Sequence, residues 1–154
     1  LVGIRFEEMN LLELGHEGQF DIAIVNAVLA VLDDDDLHQA VANLAATLRP
    51  SGWLLVYDFF HDFEQHLTIV EKSKTHPAGV TLRFRPYSLI RSTLSSNGFA
   101  NMSFKPFAIP IDLPKRDNGD ELFTYTVRSD QQVRMNFRGT LFQPWCHLTA
   151  QKTT

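Results

Sequence analysis

Residues Phe20 to Phe60, FDIAIVNAVLAVLDDDDLHQAVANLAATLRPSGWLLVYDFF, constrain the fold more than any other stretch. Phe20 to Val25 is a near-continuous apolar run, as expected of a parallel strand covered on both faces. After the aspartates Asp33 to Asp36, Leu37, Ala40, Val41, Leu44, Ala45 and Leu48 recur at the spacing of an amphipathic helix. The aspartates suit the positive end of that helix, Arg49 suits its negative end, and Pro50 stops it. Ser51-Gly52 reads as a turn into a second apolar strand, Trp53 to Tyr57, which ends at Asp58. Strand, helix and strand in this order form a right-handed crossover. The expected class is therefore α/β, a mostly parallel sheet flanked by helices.

The rest of the chain adds elements to that unit. Leu1 to Glu8 has a strand-like pattern, and Asn10 to Gly18 reads as a polar connection. Phe63, Leu67 and Val70 at helical spacing predict a helix over Asp62 to Ser73, broken by His76-Pro77-Ala78-Gly79. Pro86 suits the first turn of another helix, running to Ser96 with Asn97-Gly98 as its left-handed stop. A strand follows from Asn101 to Ile109, then a loop from Pro110 to Asp120. Leu122 to Val127 and Val133 to Phe137 alternate across Ser129 to Gln132 as a β-hairpin, and Gly139 to Ala150 reads as a last strand. Residues 1–154 are expected to form one domain, with 110–138 as a loop and β-hairpin insertion. The sequence opens Leu1-Val2-Gly3-Ile4, without an initiator Met and inside strand-like pattern, so it reads as part of a longer protein.

Composition excludes several function classes. With 44% hydrophobic residues, 12 Phe and a net charge of −4, the chain has the makings of a packed interior and no basic stripe for nucleic acid. No apolar run approaches the ~20 residues of a membrane span. The single cysteine, Cys146, cannot form an internal disulfide and fits a reducing cytoplasm.

The segment Phe20-Asp21, then Asn26, then Leu48-Arg49-Pro50-Ser51-Gly52-Trp53 resembles the middle strands of class I S-adenosylmethionine-dependent methyltransferases. In that family a Phe-Asp strand leads to a loop beside the methyl donor, then to a helix, a Leu-x-Pro-Gly-Gly-like turn and a strand. The later order is also similar, including an antiparallel last strand. The sequence departs from the pattern at Ser51, where Gly is common and where Gly52 is expected to supply the positive φ instead, and at Val31, where His is frequent. The resemblance places a glycine-rich donor loop and a ribose-binding carboxylate before Leu1, and no Gly-x-Gly occurs in the sequence. It implies methyl transfer from S-adenosylmethionine to a small-molecule acceptor in the full-length protein, with donor binding by these residues alone weak or absent. A non-catalytic assembly module is the alternative, in which a homodimer covers a truncated sheet. A hydrolase is disfavoured, because no Gly-x-Ser-x-Gly elbow is present.

By the same resemblance Asn10 stands where the donor's adenine amine is bound, or else it is a turn-forming Asn. Asn26 ends a buried strand on the carboxyl side, where open α/β sheets place ligands, and contacts donor or acceptor or caps a turn. Ala27 to Leu29 would line the same pocket by position. Asp58 ends the next strand and either orients or deprotonates the acceptor or caps a helix beginning near Asp62. His61 is the companion candidate base, with solvated surface as its other reading. His61 and His66 are five residues apart, about 140° around a helix, which is poor spacing for a metal. Phe84, Tyr87, Phe104, Phe107, Phe123, Tyr125, Phe137, Phe142 and Trp145 are either core or acceptor-pocket wall. Arg83, Arg85, Arg134 and Arg138 alternate on strand-like segments, forming either a solvated face or a carboxylate receiver.

Overall fold

The computed structural model describes residues 3–74, 76–116 and 123–153. The crossover unit is present: strand β1 (Phe20–Asn26), helix α1 (Asp34–Thr47) and strand β2 (Leu48–His61), with β1 and β2 paired in parallel. Asp33 caps α1 by accepting the Asp36 N–H at 2.9 Å. The buried residues of α1 are Leu37, Ala40, Val41, Leu44, Ala45 and Thr47, and they pack on Val25, Leu54 and Val56 of the sheet. Each fully buried Leu or Val here contributes about 1.5–3 kcal/mol.

Strands β3 (Leu67–Glu71), β4 (Val80–Pro86), β5 (Phe99–Pro106) and β9 (Trp145–Lys152) complete a six-stranded sheet in the order β3-β4-β2-β9-β5, with β1 also on β2. Strands β1, β2, β4 and β5 run in one direction, and β9 lies antiparallel between β2 and β5. The last strand is thus antiparallel, as expected. Helix α2 (Tyr87–Ser96) follows β4 directly, with Pro86 as its N-cap and Gly98 at φ +77° just past its end. Strands β6 (Thr124–Arg128), β7 (Arg134–Arg138) and β8 (Leu141–Phe142) form a separate three-stranded sheet.

Five sequence expectations are corrected. The helix predicted over Asp62 to Ser73 is instead β3, paired antiparallel with β4 from Leu67–Phe84 to Glu71–Val80. The β-branched Thr68, Ile69 and Val70 favour the extended form, and β4 supplies the partner backbone. The expected strand from Leu1 to Glu8 is not formed between residues 4 and 10, where no strand pairs with it among the described residues; Leu1 and Val2 lie outside them. The expected last strand divides at Gln143-Pro144, so Leu141–Phe142 joins the small sheet and only Trp145 onward joins the large one. Leu122, expected in the hairpin, lies outside the described residues.

The fourth correction concerns the turn before β2. Helix α1 ends at Thr47, and Arg49 pairs with Asp21 of β1 at 2.9 Å rather than with the helix end. Between the pairs Phe20–Leu48 and Ile22–Trp53 the register jumps, and the positive φ, +65°, falls on Ser51 and not on Gly52. Gly52 is needed for space: a Cβ there would stand 2.9 Å from the Arg49 carbonyl oxygen and 3.1 Å from that of Asp21.

One face of the β1–β2 pair is bare, so Phe20 to Val25 is not covered on both faces as its apolar run suggested, and Asn26 at its end is exposed. Ile22 is 54% exposed and Ile24 75%, beside an exposed Trp53, and the outer edge of β1 has no partner strand among the described residues. In urea denaturation, Ser51→Gly is expected to raise stability by about 0.5–1 kcal/mol by relieving the left-handed serine. Gly52→Ala is expected to lower it by about 1–3 kcal/mol through the two carbonyl clashes.

Candidate functional site

The parallel strands bring their carboxyl ends to one edge: Asn26 from β1, His61 from β2, Pro86 from β4 and Pro106 from β5, with Trp145 at the start of the antiparallel β9. Asn26 lies opposite Tyr57 of β2, and its side chain makes no hydrogen bond among the described residues. The next residue, Ala27, has φ +55° and donates its N–H to the Tyr57 carbonyl at 2.8 Å. A left-handed alanine costs of order 1–2 kcal/mol, so the surrounding contacts hold the chain in this reversal.

Those contacts come from two buried ionic side chains. Asp58 Oδ2 accepts the Leu29 and Ala30 N–H groups at 2.7 and 3.2 Å, and Oδ1 accepts the Phe59 N–H at 2.8 Å. Arg85 of β4, fully buried, donates to the carbonyls of Leu29 at 2.8 Å and Leu32 at 2.6 Å. Two more of its N–H groups converge on Asp34 Oδ1 at 3.1 and 3.0 Å. Arg83 donates to the Val31 carbonyl at 3.1 Å. The loop from Leu29 to Asp34 is therefore held by its N–H groups from β2 and by its carbonyls from β4. Burial pushes the Asp58 carboxyl up, against three N–H donors and the Arg85 charge; burial also pulls the Arg85 guanidinium down, against Asp34.

The expected arginine face does not form. Arg85 is inside, Arg134 bonds Asp112 at 2.6 Å, and Arg138 lies 3.1 Å from Glu71. Asp58 caps a turn, as one reading allowed, but the turn is Leu29–Val31, 29 residues earlier in the chain, and not a helix at Asp62. Leu29 is 2% exposed and packs in the core, so it offers this edge its backbone only. Asn10 caps a short turn, Leu11–Glu13, by accepting the Leu12 N–H at 3.0 Å. A shallow depression of about 450 Å³ adjoins Asn26, Tyr57 and His147.

His61 is not part of a solvated surface, the other reading its sequence allowed. It is 3% exposed, stacks on Phe63 at 3.5 Å between ring centres, and its Nδ1 lies 2.9 Å from the Phe63 carbonyl oxygen. Its Nε2 is buried with no hydrogen-bond partner among the described residues. The ring lines a cavity of about 320 Å³ between the end of β2, the segment after β5 and the small sheet. His66 lies apart, 3.7 Å from Asp34, and no group of three His, Cys, Asp or Glu among the described residues could hold a metal. No helix among the described residues is long and apolar enough to cross a membrane.

Breaking either half of the loop clamp strands buried polar groups. Asp58→Ala and Arg85→Met are each expected to cost about 3–5 kcal/mol in urea denaturation. The double variant is expected to cost less than the sum, because both act on one segment.

No protein-family model and no curated protein sequence matches the chain. Solved structures do. The 1,6-didemethyltoxoflavin-N1-methyltransferase of Burkholderia thailandensis, with 1,6-didemethyltoxoflavin and S-adenosylhomocysteine bound, aligns over 97% of this chain and 51% of its own at 19% identity, with a TM-score of 0.55. A SAM-dependent methyltransferase of Methanosarcina mazei aligns over 94% and 65% at 13% identity, TM-score 0.61. An S-adenosylmethionine-dependent methyltransferase of Mesorhizobium loti aligns over 98% and 70% at 14% identity, TM-score 0.60. The chain thus spans between about half and seven tenths of these proteins, and what it shares with them is a class I S-adenosylmethionine-dependent methyltransferase-like fold.

Proposed function

We propose that this chain serves methyl transfer from S-adenosylmethionine to a small-molecule acceptor, with the reaction at the carboxyl edge of its sheet. The observation that carries the reading is the strained reversal at Asn26-Ala27, held by Asp58 and Arg85 at the strand end where folds of this class place ligands. The residues fit the donor in part. Asn26 offers a free amide, Ala27 a fixed backbone turn, and Asn10 the donors and the second lone pair of an amide whose oxygen already accepts Leu12 N–H. The chain has no Gly-x-Gly and supplies one wall of such a site.

The donor contributes an electrophilic methyl group on a sulfonium, displaced in line by an acceptor lone pair as the carbon–sulfur bond breaks with its electrons on sulfur. The chain's share is positioning and proton removal. Asp58 is a positioning residue, since three backbone N–H groups occupy its oxygens. His61 is the base, with Nε2 free to take the acceptor's proton. The net charge of −4 and the lack of a basic patch favour a small acceptor over nucleic acid.

A second reading is favoured by the bare face at Ile22, Ile24 and Trp53 and by the open β1 edge: a non-catalytic assembly module whose face is covered by a second copy. Sedimentation decides it, since a stable dimer supports this reading and a monodisperse monomer rejects it. For the first reading, calorimetry on the full-length gene product is expected to show S-adenosylhomocysteine binding, weakened about 5- to 30-fold by Asn26→Ala. Absence of binding to both S-adenosylmethionine and S-adenosylhomocysteine rejects it.

A further inference from the structure

The cavity beside His61 has a chemistry narrow enough to name its ligand. Nδ1 of His61 faces the Phe63 carbonyl oxygen, an acceptor only, so in the neutral ring the proton sits on Nδ1 and Nε2 carries the lone pair. That lone pair is buried without a donor among the described residues, a deficit that a ligand O–H or N–H would remove. Of the other polar groups at the cavity, Arg134 Nε and the Asn136 amide are engaged. Arg134 donates to Asp112, and Asn136 donates to the Phe107 carbonyl and accepts from the Ile109 N–H, all at 3.0 Å or less. Asp62, the carboxylate at the rim, is exposed to water. No unpaired buried charge waits for a carboxylate or an ammonium group.

The walls are flat and apolar. Tyr87, Phe107 and Trp145 line the cavity with the prolines Pro106 and Pro144. Its rim holds large apolar side chains left in water: Phe63 is 37% exposed, Phe142 38% and Val133 56%. A volume of about 320 Å³ lies at the lower end of the roughly 300–1,000 Å³ usual for ligand pockets, which suits one or two rings.

We infer that this cavity receives an uncharged, planar aromatic acceptor bearing one weakly acidic O–H or N–H, which donates to His61 Nε2. The inference rests on the methyl-transfer reading and deepens it. In the step, the acceptor oxygen or nitrogen bonds to the methyl carbon as the carbon–sulfur bond breaks, and the acceptor's proton passes to Nε2. The positive charge moves from sulfonium to imidazolium, and a neutral thioether and a neutral methylated ring leave. Strand β7 supplies Arg134 to Asn136 and β8 supplies Phe142 to this cavity, with Val133 just before β7, so the small sheet sets acceptor choice.

Three probes read the cavity by calorimetry on the full-length protein: 2-naphthol, 2-methoxynaphthalene, which lacks the O–H, and 2-naphthoate, which is charged. The expected result is 2-naphthol binding about tenfold or more tighter than either of the others. His61→Phe is expected to abolish that preference while leaving 2-methoxynaphthalene unchanged, and His61→Gln, which keeps an acceptor, to retain part of it. Equal binding of 2-naphthoate, or a preference that survives His61→Phe, overturns the inference. Should His61→Phe not fold, the wild-type comparison of 2-naphthol with 2-methoxynaphthalene decides alone. Titration with S-adenosylhomocysteine separates the two readings: naphthol preference without its binding removes the methyl-transfer reading and keeps the ligand class, whereas its binding without naphthol preference removes the ligand class only.

Discussion

The backbone from Leu29 to Asp34 runs between two buried ionic side chains, and the arrangement of the carboxyl edge depends on them. Asp58 takes the N–H groups at the start of this segment, and Arg85 takes its carbonyls and the carboxylate of Asp34. Neither charge would be tolerated inside without these partners, because desolvation costs several kcal/mol per ion. The clamp joins β2 and β4 through the loop that follows β1, so three strand ends are fixed relative to one another. It also anchors the first turn of α1 through Asp34, which gives the acidic run a second role beyond capping. A segment tied by five or more hydrogen bonds to buried groups can hold Ala27 in a left-handed conformation that an unsupported loop would relax.

On the far side of β2's end the chain does the opposite and leaves a polar group unsatisfied. His61 Nε2 is buried without a hydrogen-bond partner among the described residues, while Arg134 Nε and the Asn136 amide nearby are bonded. Native interiors rarely leave such an atom alone, and this one belongs to a ring that lines a cavity. The two sites, a rigid reversal at Asn26-Ala27 and an aromatic cavity at His61, lie at the ends of strands carried by the same sheet edge.

Much of this was legible in the sequence, for local reasons. Phe20 to Phe60 carries two periods, near-continuous apolar strands and a 3.6-residue helix, and each formed where the period placed it. Phe63, Leu67 and Val70 satisfied the helical period too, yet they became an edge hairpin, because β4 offered pairing that no local pattern reveals. Arg83 and Arg85 read as part of either a solvated face or a carboxylate receiver; Arg85 went inside because the carbonyls of Leu29 and Leu32, more than fifty residues earlier, needed a donor. Asp58 was recognisable as a strand-end carboxylate, but whether it faced solvent, acceptor or backbone depended on the same loop. The setting of His61 was hidden for a similar reason, since it is the small sheet, far along the chain, that closes the cavity around it.

The account is tested most directly by amide NMR of the full-length protein on addition of S-adenosylhomocysteine. A donor seated against a rigid, clamped loop predicts the largest shifts at Asn10, Asn26 and Ala27, with the amides of Leu29 and Ala30 unmoved and still protected from exchange. Shifts concentrated on β3 and β4, or loss of protection at Leu29 and Ala30, would contradict it.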